Sequence, residues 1–128
     1  MKNTPWRGVI IAESFEKNDV IERSRTVRTK TEILEGEEGR GRFHFHLIEV
    51  PDCDVELLVD TATQTIKPAW YIHLVRDGQM YVVYRNKYFK LTQGDDQATA
   101  EAKEHAISCG IHPDQIAFER FFDNPYDE

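Results

Sequence analysis

The chain has 128 residues, 40% of them hydrophobic and 30% charged, and a formal charge of −7 from 16 Lys+Arg against 23 Asp+Glu. Such values describe a soluble globular chain with room for one core, since a domain of about 150 residues buries roughly two-thirds of its unfolded surface without help from disulfides. The acidic balance opposes a general attraction to phosphate backbones, so nucleic acid is disfavoured as the default partner.

Cys53 and Cys109 are too few for a disulfide framework and lack CxxC spacing. They read as reduced thiols of a cytoplasmic protein. The apolar run within MKNTPWRGVIIAESFEKND is interrupted by Glu13 and has no A-x-A-like site after it. It is too short for a signal sequence, and no segment approaches the roughly 20 apolar residues of a membrane helix. The expectation is an intracellular protein with no membrane association.

In chain order, Gly8 to Ala12 is a short β-branched apolar run, the pattern of a buried strand. Phe15 to Ile21 contains Asn18-Asp19 and predicts a turn or one helical turn. SRTVRTKTEIL (24–34) is rich in Thr, Val and Ile, whose branched Cβ suits a pleated surface. GEEGRG (36–41) predicts a hairpin connection. RFHFHLIEV (42–50) is then a third strand, ended by Pro51, which has no N–H to give a ladder. Asp52 or Asp54 can cap a helix through Val55, Leu58, Val59, Ala62 and Ile66, which follow the spacing of one helical face.

Lys67-Pro68 ends that pattern. AWYIHLV and QMYVVYR flank Arg76-Asp77-Gly78, and Asp-Gly between apolar runs signals a tight hairpin. With Asp77 and Gly78 as the loop, Trp70, Ile72, Leu74, Tyr81, Val83 and Arg85 share one face. Tyr71, His73, Val75, Met80, Val82 and Tyr84 share the other. Both sets are largely apolar, so these two strands should be central and covered on both sides. Asn86-Lys87 predicts a second turn into YFKL (88–91). Asp95 or Asp96 caps a last helix with Ala98, Ala102, Ala106 and Cys109 on its apolar side and Gly110 just beyond its end. IHPDQIAFERFFDNPYDE completes the chain.

The order is β-β-β-α-β-β-β-α. It predicts one α+β domain over 1–128, a mostly antiparallel sheet of five or six strands with two helices on one side. For the C-terminal stretch, packing of Phe118, Phe121 and Phe122 onto the sheet competes with a loose acidic, aromatic docking tail from 119 to 128. GVIIAES, AWYIHL, YRNKYFKL and SCGIHPDQIAF together resemble a small prokaryotic family of uncharacterised proteins. That resemblance spans most of the chain and implies no activity, cofactor or catalytic residue.

The sharpest chemical feature is His44-Phe45-His46. Residues two apart on a strand project to the same side, roughly 6.5–7 Å apart along the chain, so two imidazoles can reach one ion. With His73 from another strand they would form a three-histidine zinc site completed by water. Against this, the same side continues as Ile48 and Val50, and Glu49 points the other way. The stretch resembles a first cupin motif, but a cupin sets its glutamate farther from the second histidine than Glu49 lies from His46. The glycine-rich second cupin motif is missing as well. The plainer reading makes His44 and His46 partly exposed strand residues while Phe43, Phe45 and Leu47 enter the core.

Other chemistry has less behind it. Ser14, Ser24 and Ser108 have no G-x-S-x-G context. Cys109 falls at a helix C-terminus, where the dipole opposes a thiolate, and Cys53 has no visible partner. GEEGRG lacks the GK[ST] ending of a phosphate loop, and its glutamates repel phosphate. Arg23, Arg25, Arg28, Lys30, Arg40 and Arg42 alternate with Glu22, Glu32, Glu35, Glu37 and Glu38, the pattern of a solvated, cross-paired face. Tyr71, Tyr81, Tyr84 and Tyr88 near Arg85, Lys87 and Lys90 could stack bases, though a two-sided core explains them more simply.

The reading is therefore a non-enzymatic binding or protein-interaction module with no cofactor, engaging a protein partner or itself through an aromatic sheet face or its tail. A zinc-type enzyme built on His44, His46 and His73 is the alternative, and RNA binding through the aromatic-basic hairpins ranks third.

Overall fold

A computed structural model describes residues 4–33 and 41–126. Six strands form one sheet: β1 (Trp6–Ile11), β2 (Arg25–Ile33), β3 (Arg42–Val50), β4 (Ile72–Arg76), β5 (Gln79–Tyr84) and β6 (Lys87–Thr92). Three α-helices accompany them: α1 (Asp19–Arg23), α2 (Asp52–Thr65) and α3 (Asp96–Ser108). Short 3-10 segments occupy Ala12–Ser14, Pro113–Gln115 and Phe118–Phe122. The sheet order is β2-β3-β1-β4-β5-β6, with every neighbouring pair antiparallel. The α+β class and the alternation of three strands and a long helix are as expected; α1 is the single turn foreseen near Asp19.

The β4–β5 hairpin has the register the Asp-Gly pair demands. Ile72 faces Val83, and Arg76 faces Gln79. Asp77 and Gly78 both take positive φ, 46° and 77°, which is the backbone of a two-residue turn matched to strand twist. The next turn differs by one residue from expectation. Tyr84 pairs with Lys87, so Arg85-Asn86 is the loop, and Asn86 is the residue in the left-handed region at 66°. An asparagine tolerates that conformation better than lysine, which accounts for the placement.

Between the two halves of the sheet runs β1, which starts two residues earlier than the apolar run suggests because Trp6 itself pairs with Val50 and is buried. Gly8 is required there by close approach. A Cβ on it would lie 1.9 Å from the carbonyl oxygen of His73 on β4.

The two long helices lie on opposite faces, correcting the expectation of one helical side. Face A carries Trp6, Ile10, Ile48, Val50, Ile72, Leu74, Tyr81 and Val83 against Val55, Leu58, Val59 and Ala62 of α2. Face B carries Val75, Met80, Val82, Tyr84 and Leu91 against Ala102 and Ala106 of α3, with Phe118 and Phe121 beside them. The physical reason is in β4 and β5, whose alternate residues are apolar on both sides, so each side must be removed from water.

Caps were partly readable. The Asp95 side chain accepts from the Ala98 N–H at 3.1 Å and starts α3. Its end is closed by Ile111 N–H to Ala106 O and Gly110 N–H to Ile107 O, the paired bonds of a Schellman cap. Neither Asp52 nor Asp54 supplies the side-chain cap of α2, which begins after Pro51. Asp52 Oδ1 instead accepts from the Trp6 indole at 2.9 Å and pairs with Arg76 at 2.5 Å. The Trp6 bond, followed by the Arg76 bond, holds the Asp52 carboxyl below its ordinary range.

Candidate functional site

The histidines of β3 and β4 do not meet. Ile10 of β1 pairs with His46 and its neighbour Val9 pairs with His73. Directly paired residues share a side and consecutive residues do not, so His44 and His46 project to face A and His73 to face B. The sheet itself separates them. The three-histidine zinc site is therefore not assembled, and among the described residues no group of three His, Cys, Asp or Glu side chains is arranged to hold an ion.

Each histidine has its own setting. Glu13, on the 3-10 turn after β1, grips His44 twice: its Oε1 accepts the His44 backbone N–H at 2.7 Å and its Oε2 meets ring Nδ1 at 2.6 Å. Burial tends to raise the Glu13 carboxyl, but the bonds and charge from His44 outweigh it and hold the group below its usual range. The His46 ring is half-buried beside Ile10 and Thr29, and its Nδ1 has no hydrogen-bond partner among the described residues. His73 is buried, stacks flat on Phe121 at 3.9 Å, and places Nε2 2.6 Å from the Pro125 carbonyl oxygen. A carbonyl only accepts, so Nε2 carries the proton and donates.

That contact fastens the C-terminal segment across face B. Phe118 and Phe121 are buried, and the Tyr126 hydroxyl donates to the Ile48 carbonyl at 3.3 Å, beside the bulge where β2 shifts register between Thr26 and Arg28. The described part of the tail, through Tyr126, thus packs on the sheet; the last two residues, like Leu34 to Arg40 with most of GEEGRG, lie outside the described residues.

Helix α3 covers only the β4-β5-β6 half of face B. Over β1 and β3 the cover is incomplete, and a cleft of about 510 Å³ remains. Val9, Ile11 and Phe45 make its floor. Trp70 and Tyr71 form one wall, Ile111, His112, Asp114 and Gln115 another, and Arg120, Phe121 and Tyr126 the third. Lys30 and Glu32 of β2 stand at the rim. Two wall elements are tied together, because the Tyr71 hydroxyl donates to the Gln115 carbonyl. Phe43 extends the aromatic wall through Trp70, with ring centres 5.7 Å apart. Sequence reasoning missed this cleft. Its wall residues Trp70, Phe121 and Tyr126 look like any core aromatics in one dimension, and only the arrest of α3 after Ser108 leaves Trp70 and Tyr126 half-covered.

The remaining candidates resolve individually. The tyrosines split: Tyr81 and Tyr88 lie on face A, Tyr71 and Tyr84 on face B, and only Tyr88 is largely exposed, at 51%. A continuous base-stacking surface is not formed. Tyr84 donates its hydroxyl to the Ala102 carbonyl at 2.7 Å, and burial drives its pKa above the ordinary phenol range. The serine hydroxyls bond locally, Ser14 to Ile11 O, Ser24 to Ile21 O and Ser108 to His105 O. Cys53 is exposed at the start of α2, whereas Cys109 Sγ lies 3.5 Å from His105 Nε2. His105 packs edge-on to Tyr84 at 4.7 Å, and burial, then the Lys87 charge, lowers its pKa. No described helix is long and apolar enough to cross a membrane.

Comparison of the chain with protein-family models, with curated proteins and with solved structures finds no match.

Proposed function

We propose that the chain is a non-enzymatic binding module and that its ligand is a small flat organic molecule held in the cleft on face B. The observation carrying this reading is the half-covered aromatic hollow of about 510 Å³ between β1, β3 and the C-terminal segment. Ligand pockets commonly span roughly 300–1,000 Å³ and combine apolar walls with a few polar groups, and this hollow has both properties. The polar groups deepest in it are engaged within the protein, His73 with Pro125 and Tyr71 with Gln115. They fix the walls in place and leave recognition to ring faces and the rim. AWYIHL and SCGIHPDQIAF, two of the stretches that resemble the uncharacterised prokaryotic family, supply most of the wall residues, which favours one role for both. Two unpaired thiols fit a cytoplasmic setting.

Titration with phenylnaphthylamine, a neutral flat dye that brightens in apolar sites, tests the reading. Saturable binding is expected. Ile11→Trp fills the floor with a larger ring and should weaken it by about tenfold, a change of about 1.4 kcal/mol. Dye binding that ignores Ile11→Trp, in a variant of unchanged urea midpoint, would refute the cleft as the ligand site.

A further inference from the structure

We infer that β6 is a docking edge for an extended acidic peptide segment of another protein, which adds to the sheet as a further strand. The sheet order leaves two strands at its margins, β2 and β6. Their edges differ. β2 shifts register between Thr26 and Arg28, and such a bulge turns an edge away from new partners. β6 pairs with β5 without interruption from Lys87 to Thr92. The direction of its bonds follows from the hairpin. Gln93 N–H donates to the Gly78 carbonyl at 2.8 Å, and bonded positions alternate along an antiparallel pair. Lys87, Phe89 and Leu91 therefore bond to β5, while Tyr88, Lys90 and Thr92 turn their backbone groups outward. Asp95 N–H takes the Thr92 carbonyl at 3.0 Å. Among the described residues, nothing pairs with the outward N–H and carbonyl groups of Tyr88 and Lys90.

What this edge presents is aromatic and cationic. Tyr88, 51% exposed, lies on face A beside Tyr81, with ring centres 5.8 Å apart. Lys90 shares that face, and its Nζ sits 5.3 Å from the Tyr81 ring centre. Lys87 is on face B, its Nζ 5.0 Å from the ring centre of half-buried Phe89. Among the described residues neither ammonium pairs with a carboxylate. Asp52 senses the Lys90 charge but bonds Trp6 and Arg76 instead. A guest strand shows alternate side chains on the two faces. Carboxylates opposite Lys90 and Lys87, with apolar residues between them against Phe89 and Tyr88, match the edge. In strand addition the main chain supplies affinity and such side chains supply specificity. A second copy of β6 would instead set lysine against lysine along the seam, on chains that each carry −7. Edge lysines discourage that like pairing, and here they decide which strand is admitted.

The test uses the full chain and a fluorescein-labelled peptide, Thr-Glu-Tyr-Val-Glu-Thr, followed by fluorescence anisotropy. Saturable binding is expected, and amide hydrogen exchange at Tyr88 and Lys90 should slow in the complex. Lys87→Gln and Lys90→Gln, at unchanged urea midpoint, should each weaken binding about fivefold, the equivalent of one unit charge at roughly 4 Å in water. That loss should shrink with added salt. Methylating the valine nitrogen removes the N–H that meets the Tyr88 carbonyl and should abolish binding. Equal binding of a peptide with lysine in place of glutamate would overturn the acidic assignment. Indifference to the methylated valine would overturn strand addition, and no binding of the acidic peptide would overturn the docking edge. Exchange at Tyr88 and Lys90 that slows with protein concentration alone would give the edge to a second copy and overturn the peptide. Displacement of the peptide by a single-stranded RNA pool would overturn it in favour of nucleic acid.

Discussion

Gly8→Ala probes the joint on which the sheet depends. The added methyl would sit 1.9 Å from the His73 carbonyl oxygen, 3.0 Å from the His73 carbonyl carbon and 3.1 Å from Leu74 Cδ2. Leu74 can turn aside, but the first two atoms are backbone of the paired strand and cannot move without opening the ladder. Only Arg7–Val75, Gly8–Leu74 and Val9–His73 join β1 to β4, so the strain falls on the single link between the two sheet halves. Overpacking of a rigid site costs about 1–3 kcal/mol, and weakening one or two ladder bonds adds about 1 kcal/mol each. A loss of about 3 kcal/mol is expected, a large share of the roughly 5–15 kcal/mol typical of a domain. In urea the midpoint should fall with an unchanged slope, and the thermal midpoint should drop by roughly 10 °C. A loss below about 0.5 kcal/mol would refute the reasoning, because it would show that β1 and β4 can separate at little cost.

Acid and alkaline limits follow from two rings on face B, half-buried His105 and buried Tyr84. His105 has a folded pKa below its unfolded value of about 6.5, so its contribution is present above that pH and is lost as pH falls through the folded pKa; pH-dependent urea midpoints of His105→Gln should lack this component. Tyr84 has a raised pKa, so its contribution is full below about pH 10 and is lost as pH rises beyond. Tyr84→Phe should lessen that alkaline loss, and at neutral pH it should cost about 1 kcal/mol for the bond to Ala102. Because the sheet separates His73 from His44 and His46, calorimetric zinc titration should give the same result for His73→Gln as for the unaltered chain. Phe118→Ala, at a fully buried ring, should cost about 3–5 kcal/mol by chemical denaturation.

Local rules in the chain determined most of the elements. The Asp77-Gly78 pair set a hairpin register that carried through every residue of β4 and β5, because a two-residue turn leaves no freedom in which residues face each other. The helical spacing of Val55, Leu58, Val59 and Ala62, and the Asp95 and Gly110 signals around α3, are likewise short-range physics. The two-sided apolar pattern of β4 and β5 even implied cover on both faces, although not which helix would supply it.

What the sequence could not decide was which strands become neighbours. His44 and His46 share a side by alternation alone, but the side occupied by His73 depends on β1 lying between β3 and β4 with Val9, not Ile10, against it. A shift of one residue would have put all three rings on one face. The cleft belongs to the same class of fact. It exists because α3 stops short of β1 and β3 while the chain returns through Phe121 and Tyr126, a meeting of residues more than 70 positions apart from the floor they cover. Periodicity reports which side of a strand is buried; only tertiary packing decides what buries it, and where the burial is left unfinished.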